Sequence, residues 1–201
     1  MRHSQGRSGK TSGRSLSPIE QYLDHLDDLC AKKGRYHLIT EEDERPPVWS
    51  IVYQNVPDRG DLTAFTYGLS SVNHPAWTKS RVELAINVQS NNVDWGIAIG
   101  FLARMYRGKA PFLYGDVLRL GHPVTNESAM SAFLIFSPLI LDPKQAHVDL
   151  PDRTIDMSQA YPIYEEEIEI VSQIGAQTFF MMEIDFSDVR RNPARFPKTK
   201  R

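Results

Sequence analysis

The sequence predicts an α+β fold, in which helices flank a central sheet that is mostly antiparallel or mixed. Helical and strand patterns follow one another in the order helix, strands, helix, strands and helices, without an internal repeat. Of the 201 residues, 41% are hydrophobic and 24% are charged, which is typical of a globular protein and not of a disordered or fibrous one. A chain of this length buries roughly 70% of the surface that it exposes when unfolded. We therefore expect one compact domain with a sizeable core.

Both ends of the chain differ from the rest in charge. Residues 1–16 are rich in Ser and Gly, contain four basic residues and no acidic one, and are predicted to be a disordered tail. Residues 190–201 form a second basic tail, with six basic residues and no acidic one. Residues 17–189, which we interpret as the domain, hold the other 13 basic residues and all 25 acidic residues, a formal charge of −12.

This charge distribution limits the classes of partner. The acidic domain repels the phosphates of nucleic acid, so we expect no specific nucleic-acid partner. The basic tails either keep the protein soluble or fold back on the acidic domain. Phosphate binding through the tails alone would be weak and strongly dependent on salt.

Cysteine content and hydropathy indicate the compartment. The single Cys30 excludes a disulfide framework and a zinc site of several cysteines, and it suits a reducing compartment. No apolar run approaches the roughly 18 residues that cross a bilayer, and the N-terminus lacks the apolar centre of a secretory signal. We expect a cytoplasmic protein that does not associate with membranes.

The first predicted element is a helix that begins after Ser17, an N-cap residue, with Pro18 at its first position. Gly34 is placed where the helix ends. Apolar residues recur between them at helical spacing: Ile19, Tyr22, Leu23, Leu26, Leu29 and Cys30. Cys30 therefore belongs to the core, and nothing nearby in the sequence would lower its pKa to make it a nucleophile.

Three strands are predicted next. Residues 48–56 and 62–71 are rich in β-branched and aromatic residues and are joined by the turn at residues 57–61, as in a hairpin. Residues 81–88 alternate in polarity. Arg81 and Glu83 share one face of that strand, opposite its apolar residues, and are predicted to lie on a polar surface.

A second helix is predicted over residues 93–107, with Asp94 near its start and basic residues near its end. Gly96 and Gly100 are four residues apart, a spacing that permits close packing of this helix. Its predicted buried stripe consists of Trp95, Ala98, Phe101, Leu102 and Met105.

The last third contains shorter elements. Residues 111–120 are a candidate strand, and residues 132–136 are apolar on both faces, as in a central strand. A third helix is predicted to open at Pro162, to carry three glutamates in its first turn and to end at Gly175. The segment that follows fits a short helix or a strand, and we favour the helix.

The usual catalytic signatures are missing from the sequence. There is no Walker-type phosphate loop, no Gly-x-Gly-x-x-Gly and no Gly-x-Ser-x-Gly, and the six histidines occur singly. The adjacent residues Glu165, Glu166 and Glu167 point in different directions on a helix and cannot converge on one ion. We therefore predict no catalytic residue, no metal site, no cofactor and no small-molecule ligand. The composition favours a binding protein over an enzyme.

Several segments resemble one known family, Suppressor of fused. GDLTAFTYGLSSVNHPAW with RVELAINV (residues 60–88) resembles its Thr-x-Gly-Leu-Ser strand leading to an Arg-x-Glu-Leu strand. AYPIYEEEIEIVSQIGAQ (residues 160–177) is similar to its Tyr-Pro-Leu/Ile-x-x-x-Glu segment, a helix closed by Gly, and Arg191-Asn192 resembles the end of small bacterial members. The matches span about residues 45–192 in order, and residues 90–158 add only compatible spacing of a helix and a strand.

The resemblance implies a compact single Suppressor of fused domain. In animals a longer relative holds transcription factors between two lobes, and this chain is too short for the second lobe. It is similar in length to bacterial members proposed as immunity proteins, which neutralise polymorphic toxins by direct binding. A protein partner follows from this resemblance, with a basic toxin as the candidate that suits an acidic domain. The alternatives are a regulatory or scaffold protein that sequesters a peptide or transcription factor, and an enzyme of unrecognised type.

Each candidate partner-binding residue has a structural alternative. Arg81 and Glu83 lie either on a partner-binding face or in an ion pair that maintains the fold. Trp77 either contacts a partner as an exposed aromatic or covers the core. The other candidates are Asn73 and His74 in the loop before Trp77, and Tyr164 and Glu167 in the helical motif, where Tyr161 and Pro162 are expected to fix the helix start. The acidic loop Glu41–Glu44 is a solvated loop or a contact for a basic partner.

Overall fold

The structure is a computed structural model, and it describes residues 15–39 and 45–196. The helices within these ranges are α1 (Pro18–Cys30), α2 (Asp94–Tyr106), α3 (Glu165–Ile174) and α4 (Ala176–Phe180). The strands are β1 (Arg35–Ile39), β2 (Val48–Gln54), β3 (Leu62–Tyr67), β4 (Arg81–Val88), β5 (Val117–Arg119), β6 (Ala132–Phe136), β7 (His147–Asp149) and β8 (Thr154–Ile163). A short 3₁₀ turn spans Leu69–Ser71.

All eight strands belong to one mixed sheet. Its order is β1-β2-β3-β4-β8-β6-β5, and β7 also pairs with β8. Every pair is antiparallel except β4 with β8, which run parallel with Val82 beside Asp156. The predicted α+β class with a mixed sheet and flanking helices is confirmed. The apolar segment 132–136 is β6, which lies one strand from the edge yet is buried on both faces over most of its length.

Helices cover both faces of the sheet. On one face α2 packs against β1 to β4, with Trp95, Ile99 and Leu102 fully buried. Because successive strand residues point to opposite faces, Ile51 and Phe65 face away from α2 and pack with α1. On that same second face α3 and α4 cover β6 and part of β8.

Gly96 allows α2 to lie close to the sheet, as its spacing from Gly100 predicts. A Cβ at Gly96 would lie 2.8 Å from Val52 Cγ2 and 2.9 Å from Ala64 Cβ. The side of α2 that faces the sheet therefore consists of Gly96, Ile99, Gly100 and Ala103. The buried stripe therefore differs from the predicted one, and Phe101 and Met105 are exposed on the opposite side of the helix.

We predict that Gly96→Ala lowers the free energy of unfolding by about 1–3 kcal/mol, although alanine is the better helix former. The Cβ of Ala64 cannot rotate away from the added methyl group. Met105→Ala is the control, because Met105 lies on the exposed side of the same helix, and it should change the free energy of unfolding by less than about 0.5 kcal/mol. Urea unfolding of both variants measures the difference. Equal stability of wild type and Gly96→Ala would contradict the close-packing explanation.

The start of α1 follows its sequence signals. Ser17 and Glu20 form a capping box, and Pro18 is the first helical residue. The helix ends at Cys30, earlier than Gly34, because Ala31 adopts a left-handed conformation with φ of 51°. Cys30 is buried as predicted, and burial raises the pKa of its thiol to about 12.

The prediction that Pro162 opens a helix is wrong. Tyr161 and Pro162 belong to β8, and α3 begins at Glu165 with Tyr164 as its N-cap residue. Pro162 lies beyond Gln159, the last residue of β8 that pairs with β4. Pro162 has no N–H to donate, and this removes no hydrogen bond between β8 and β4. The glutamates in the first turn of α3 and the helical α4 agree with the prediction.

Some predictions concern residues outside the described ranges. The acidic loop Glu41–Glu44 lies outside them, as do residues 1–14 and 197–201 of the two basic tails. Within residues 15–39 and 45–196, no helix combines the length and the apolar character needed to span a membrane.

Candidate functional site

Glu83 is fully buried, so the prediction that it lies on an exposed polar face is wrong. Its Oε1 accepts hydrogen bonds from the N–H of Gly68 (2.8 Å) and from the N–H and hydroxyl of Ser70 (3.0 and 2.6 Å). Its Oε2 accepts one from the Thr66 hydroxyl at 2.6 Å. Four donors satisfy the buried carboxylate, and together they fix the turn that follows β3.

Gly68 is required by the geometry of this turn. Its φ is +115°, and a Cβ there would lie 2.3 Å from the carbonyl oxygen of Pro47. Next to this contact, Arg107 donates one hydrogen bond to the Pro46 carbonyl oxygen and another to the Gly68 carbonyl oxygen. Arg81 donates to the Ser70 carbonyl at 2.8 Å, so Arg81 and Glu83 meet at Ser70. The Thr-x-Gly-Leu-Ser and Arg-x-Glu-Leu segments thus form one structural unit.

Glu167 is the centre of a second buried network. Arg191 donates to both of its carboxylate oxygens, at 2.5 and 2.8 Å. The backbone N–H groups of Tyr164 and Ala194 donate to the same carboxylate at 2.9 and 2.7 Å. The Arg191 guanidinium also lies over the Tyr164 ring, 5.4 Å from its centre. This network joins the start of α3 to the C-terminal segment as far as Ala194, although the sequence placed that segment in a tail.

In this structure neither Glu83 nor Glu167 can touch a partner without a rearrangement, because both side chains are fully buried. Tyr164 is nearly buried as well and donates its hydroxyl to the Arg191 carbonyl. Arg81 is half-buried. Their suggested role in partner binding stays a prediction, and their observed contacts are internal to the fold.

The remaining candidate residues lie in the loop before β4 and differ in how far their side chains are buried. Asn73 is exposed, and His74 is half-buried with its Nδ1 accepting from the Ala76 N–H. Trp77 is only 9% exposed and belongs to the core below α2. Its indole N–H donates to the Pro111 carbonyl at 2.7 Å. Trp77 therefore covers the core here, and it is not an exposed aromatic residue.

One side of Trp77 forms the wall of a surface cleft of about 520 Å³, which we call the Trp77 cleft. It lies at the start of the parallel pair β4 and β8, between the loop before β4 and the loop before β5. Its lining residues are Ala76, Trp77, Thr78, Lys79, Ser80, Val82, Leu113, Tyr114, Asp156 and Ser158. Tyr114 is 59% exposed and Leu113 is also exposed, so the cleft has an apolar rim beside the acid Asp156.

Asp156 is held by two neighbours. Its Oδ1 lies 2.6 Å from His147 Nδ1, and its Oδ2 accepts a hydrogen bond from the Ser80 hydroxyl. The hydroxyl thus donates to a carboxylate and not to the imidazole. Activation of a serine needs a base beside the hydroxyl, oriented by a third group, and this arrangement has the acid in the central place. The three residues do not form a catalytic triad.

His147 provides a testable electrostatic feature of the cleft. Its hydrogen bond to Asp156 raises the pKa of the imidazole, and Asp149, with Oδ1 3.6 Å from Nε2, acts in the same direction. We predict that Asp156→Asn lowers the pKa of His147, whereas Asp152→Asn, in the same hairpin, leaves it nearly unchanged. Titration of the His147 ring protons by NMR measures both. An unchanged pKa in Asp156→Asn would contradict the observed pairing.

Of the ten residues that line this cleft, sequence reasoning named only Trp77 as a candidate. It missed Leu113, Tyr114 and Asp156 among the others, and also His147, which contacts Asp156 from β7. Ser80 and Asp156 are far apart in the sequence, and the parallel pairing of β4 with β8 brings them together. No local motif indicates that pairing. Across the ranges that the structure describes, no group of three or more His, Cys, Asp or Glu residues is arranged to hold a metal ion.

Comparisons with solved structures support one fold. A SUFU (suppressor of fused protein) homologue from Neisseria gonorrhoeae is similar with a TM-score of 0.67 and 16% identity, over 86% of this chain and 94% of that one. Drosophila Suppressor of Fused gives a TM-score of 0.62 and 14% identity, over 88% of this chain and 51% of that one. A chain in the crystal structure of the Sufu–Fu complex gives 0.63 and 14%, over 88% and 92%.

No curated protein matches the sequence. The family model described as Suppressor of fused protein (SUFU) matches residues 44–192, well over half of the chain. These residues include the Glu83 network, the Glu167 network apart from Ala194, and strands β2 to β8. The resemblance seen in the sequence is confirmed, and this chain belongs to the Suppressor of fused family.

Proposed function

We propose that this chain is a non-catalytic protein-binding module, that its partner binds at the Trp77 cleft, and that it acts in the cytoplasm. In the more specific form of this proposal, the chain is an immunity protein that neutralises a basic toxin by direct binding. Family membership supports a binding role, because a similar chain occurs in the Sufu–Fu complex. The observation that carries the choice of surface is the cleft with its exposed Leu113 and Tyr114.

The rim of the cleft is held rigidly by the structure below it. The N–H of Leu113 donates to Asp116 Oδ2 at 2.9 Å, and the N–H of Gly115 donates to the Ile135 carbonyl at 2.8 Å. Phe112, next to Leu113, is fully buried. A rigid aromatic side chain loses little conformational entropy when a partner covers it, so Tyr114 is suited to an interface.

Charge favours a basic partner. Residues 17–189 carry a formal charge of −12. A protein with this charge attracts a basic partner over several ångströms and speeds the encounter, an effect that salt screens. This supports a basic toxin as the target of the immunity role.

The alternative within the same class is a regulatory protein that sequesters a peptide or a transcription factor. The Sufu–Fu complex favours it, since a chain similar to this one is in complex with Fu there. The two forms differ in what binds. An immunity protein binds a folded toxin, whereas a sequestering protein also binds a short linear segment of its partner.

Affinity capture tests the proposal. The purified chain is used to capture proteins from a lysate of the cells that make it, at low and at high salt, with Tyr114→Ala as a second bait. We expect one stoichiometric basic protein that is retained at low salt, released at high salt and reduced on the Tyr114→Ala bait.

The contrary result is equally informative. If neither bait retains a protein at either salt concentration, protein binding is not the function, and catalytic or small-molecule roles should be screened. If the partner is an acidic protein whose capture is insensitive to salt, the immunity role against a basic toxin is wrong.

A further inference from the structure

We propose that the Trp77 cleft receives an arginine side chain of the protein partner, with the guanidinium group between Asp156 and Tyr114. This inference rests on the proposed protein-binding function and makes the chemistry of the contact specific. It follows from a fixed carboxylate, an exposed aromatic ring and apolar walls that meet in one cleft.

The Asp156 carboxylate is held in one orientation, yet it can still accept further hydrogen bonds. His147 Nδ1 lies against Oδ1 of Asp156 and the Ser80 hydroxyl donates to Oδ2, so the side chain is held on both oxygens. A carboxylate has about four acceptor sites, and the Asp156 side chain is still 53% exposed. Acceptor capacity therefore remains toward the cleft, in a geometry that is set before a partner arrives.

The rest of the cleft suits an arginine better than a lysine. Val82, Leu113 and Trp77 provide apolar surface for the methylene groups of the side chain. The exposed ring of Tyr114 offers a face on which a planar guanidinium can stack while it donates two parallel hydrogen bonds to a carboxylate. The ammonium group of lysine is a compact, strongly hydrated charge, so an aromatic ring beside a carboxylate stabilises its binding less.

Nearby charges set the pH dependence. The basic groups at the cleft are Lys79, which lines it, and His147, which contacts Asp156 from β7. His147 also faces Asp149 on its own strand. Protonated His147 neutralises Asp156 and competes with a guanidinium, so loss of that proton as the pH rises strengthens binding of an arginine side chain.

The test uses a peptide probe that does not require the natural partner. The blocked tripeptide Gly-Arg-Gly is titrated into the ¹⁵N-labelled full chain, with the same peptide carrying neutral citrulline and the same peptide carrying lysine as comparisons. The Trp77 indole N–H reports on the cleft. The protein variants are Asp156→Asn and, as matched control, Asp152→Asn, a half-exposed acid in the β7–β8 hairpin.

We expect saturable shifts of the Trp77 indole signal with the arginine peptide, and binding that is tighter at pH 8 than at pH 6. Binding should weaken about tenfold in Asp156→Asn and stay within about twofold in Asp152→Asn. The citrulline peptide should not saturate the signal, and the lysine peptide should bind more weakly than the arginine peptide.

Three results would overturn the inference: no saturable shift with the arginine peptide, equal binding by Asp156→Asn, or equal binding of the citrulline or lysine peptide. Signals remote from the cleft verify that each variant is folded. A protein partner that is captured by the chain while the arginine peptide fails to bind would refute this inference alone and leave the proposed function standing.

Discussion

Replacing Glu167 by alanine is expected to lower the free energy of unfolding by about 3–5 kcal/mol, the usual cost of removing one partner of a buried ion pair. The variant leaves the Arg191 guanidinium, whose side chain is only 8% exposed, without its carboxylate. It also leaves the N–H groups of Tyr164 and Ala194 without their acceptor. Urea unfolding followed by tryptophan fluorescence measures the loss.

Glu166→Ala is the matched control, since Glu166 lies in the same helical turn and is exposed. Its substitution should change the free energy of unfolding by less than about 0.5 kcal/mol. A loss below about 1 kcal/mol in Glu167→Ala would mean that water or another group replaces the carboxylate, and that the C-terminal segment does not depend on this network.

Replacing Glu83 by alanine is expected to cost about 3 kcal/mol or more, because it removes the acceptor of four buried donors from the turn after β3. Glu83→Gln should cost less, about 1–2 kcal/mol. Glutamine retains an oxygen in the position of Oε1, which accepts three of the four hydrogen bonds. Its amide nitrogen then meets the Thr66 hydroxyl, which also accepts from the Leu84 N–H.

The order of these two variants is the informative result, and urea unfolding of both measures it. Lys79→Ala, in the exposed loop before β4, serves as the neutral control. If alanine and glutamine were equally destabilising, the negative charge and not the hydrogen-bond geometry would dominate. If neither reduced the stability, Glu83 would not hold the turn, and the explanation given for the family motif would be wrong.

The structure distinguishes residues that stabilise the fold from residues that could bind a partner, which the sequence alone did not. The motif residues Arg81, Glu83, Glu167 and Arg191 bind other parts of the same domain, so their contacts hold this fold together. The exposed residues around the Trp77 cleft are not in those motifs. We infer that the motifs specify the architecture and that the choice of partner depends on residues such as Leu113 and Tyr114.

Local signals predicted the helices better than the strands. Ser17 and Pro18 define the start of α1 because capping and a fixed proline φ act within one turn. β8 was not predicted, because Pro162 indicated a helix start within it. β1 and β7 were missed because Tyr36 and Leu38 are exposed on an edge strand and β7 has only three residues. Their stability comes from pairing with β2 and β8, which a local pattern does not contain.

The candidate site was predicted only in part, for a related reason. Alternation in β4 correctly separated Glu83 from its apolar neighbours, but it could not show that the turn after β3 covers that face. For Trp77 the sequence left two alternatives open, and the structure shows the one in which the ring covers the core. The contact between Ser80 and Asp156 depends on the parallel pairing of β4 with β8, which joins segments more than 70 residues apart in the chain. His147 reaches Asp156 through the pairing of β7 with β8, and β7 is too short to be recognised in the sequence.

The central claim is that a protein partner binds at the Trp77 cleft, and one comparison tests it most directly. The affinity of the captured partner is measured by calorimetry for the wild-type chain, for Tyr114→Ala and for Met181→Ala. Met181 is the matched control, because it is 79% exposed and lies on the loop after α4, outside the cleft. We predict that Tyr114→Ala weakens binding about tenfold or more, as for a residue at the centre of an interface, and that Met181→Ala leaves it unchanged. Unchanged affinity in Tyr114→Ala, or a larger loss in Met181→Ala, would contradict the account and place the interface elsewhere on the domain.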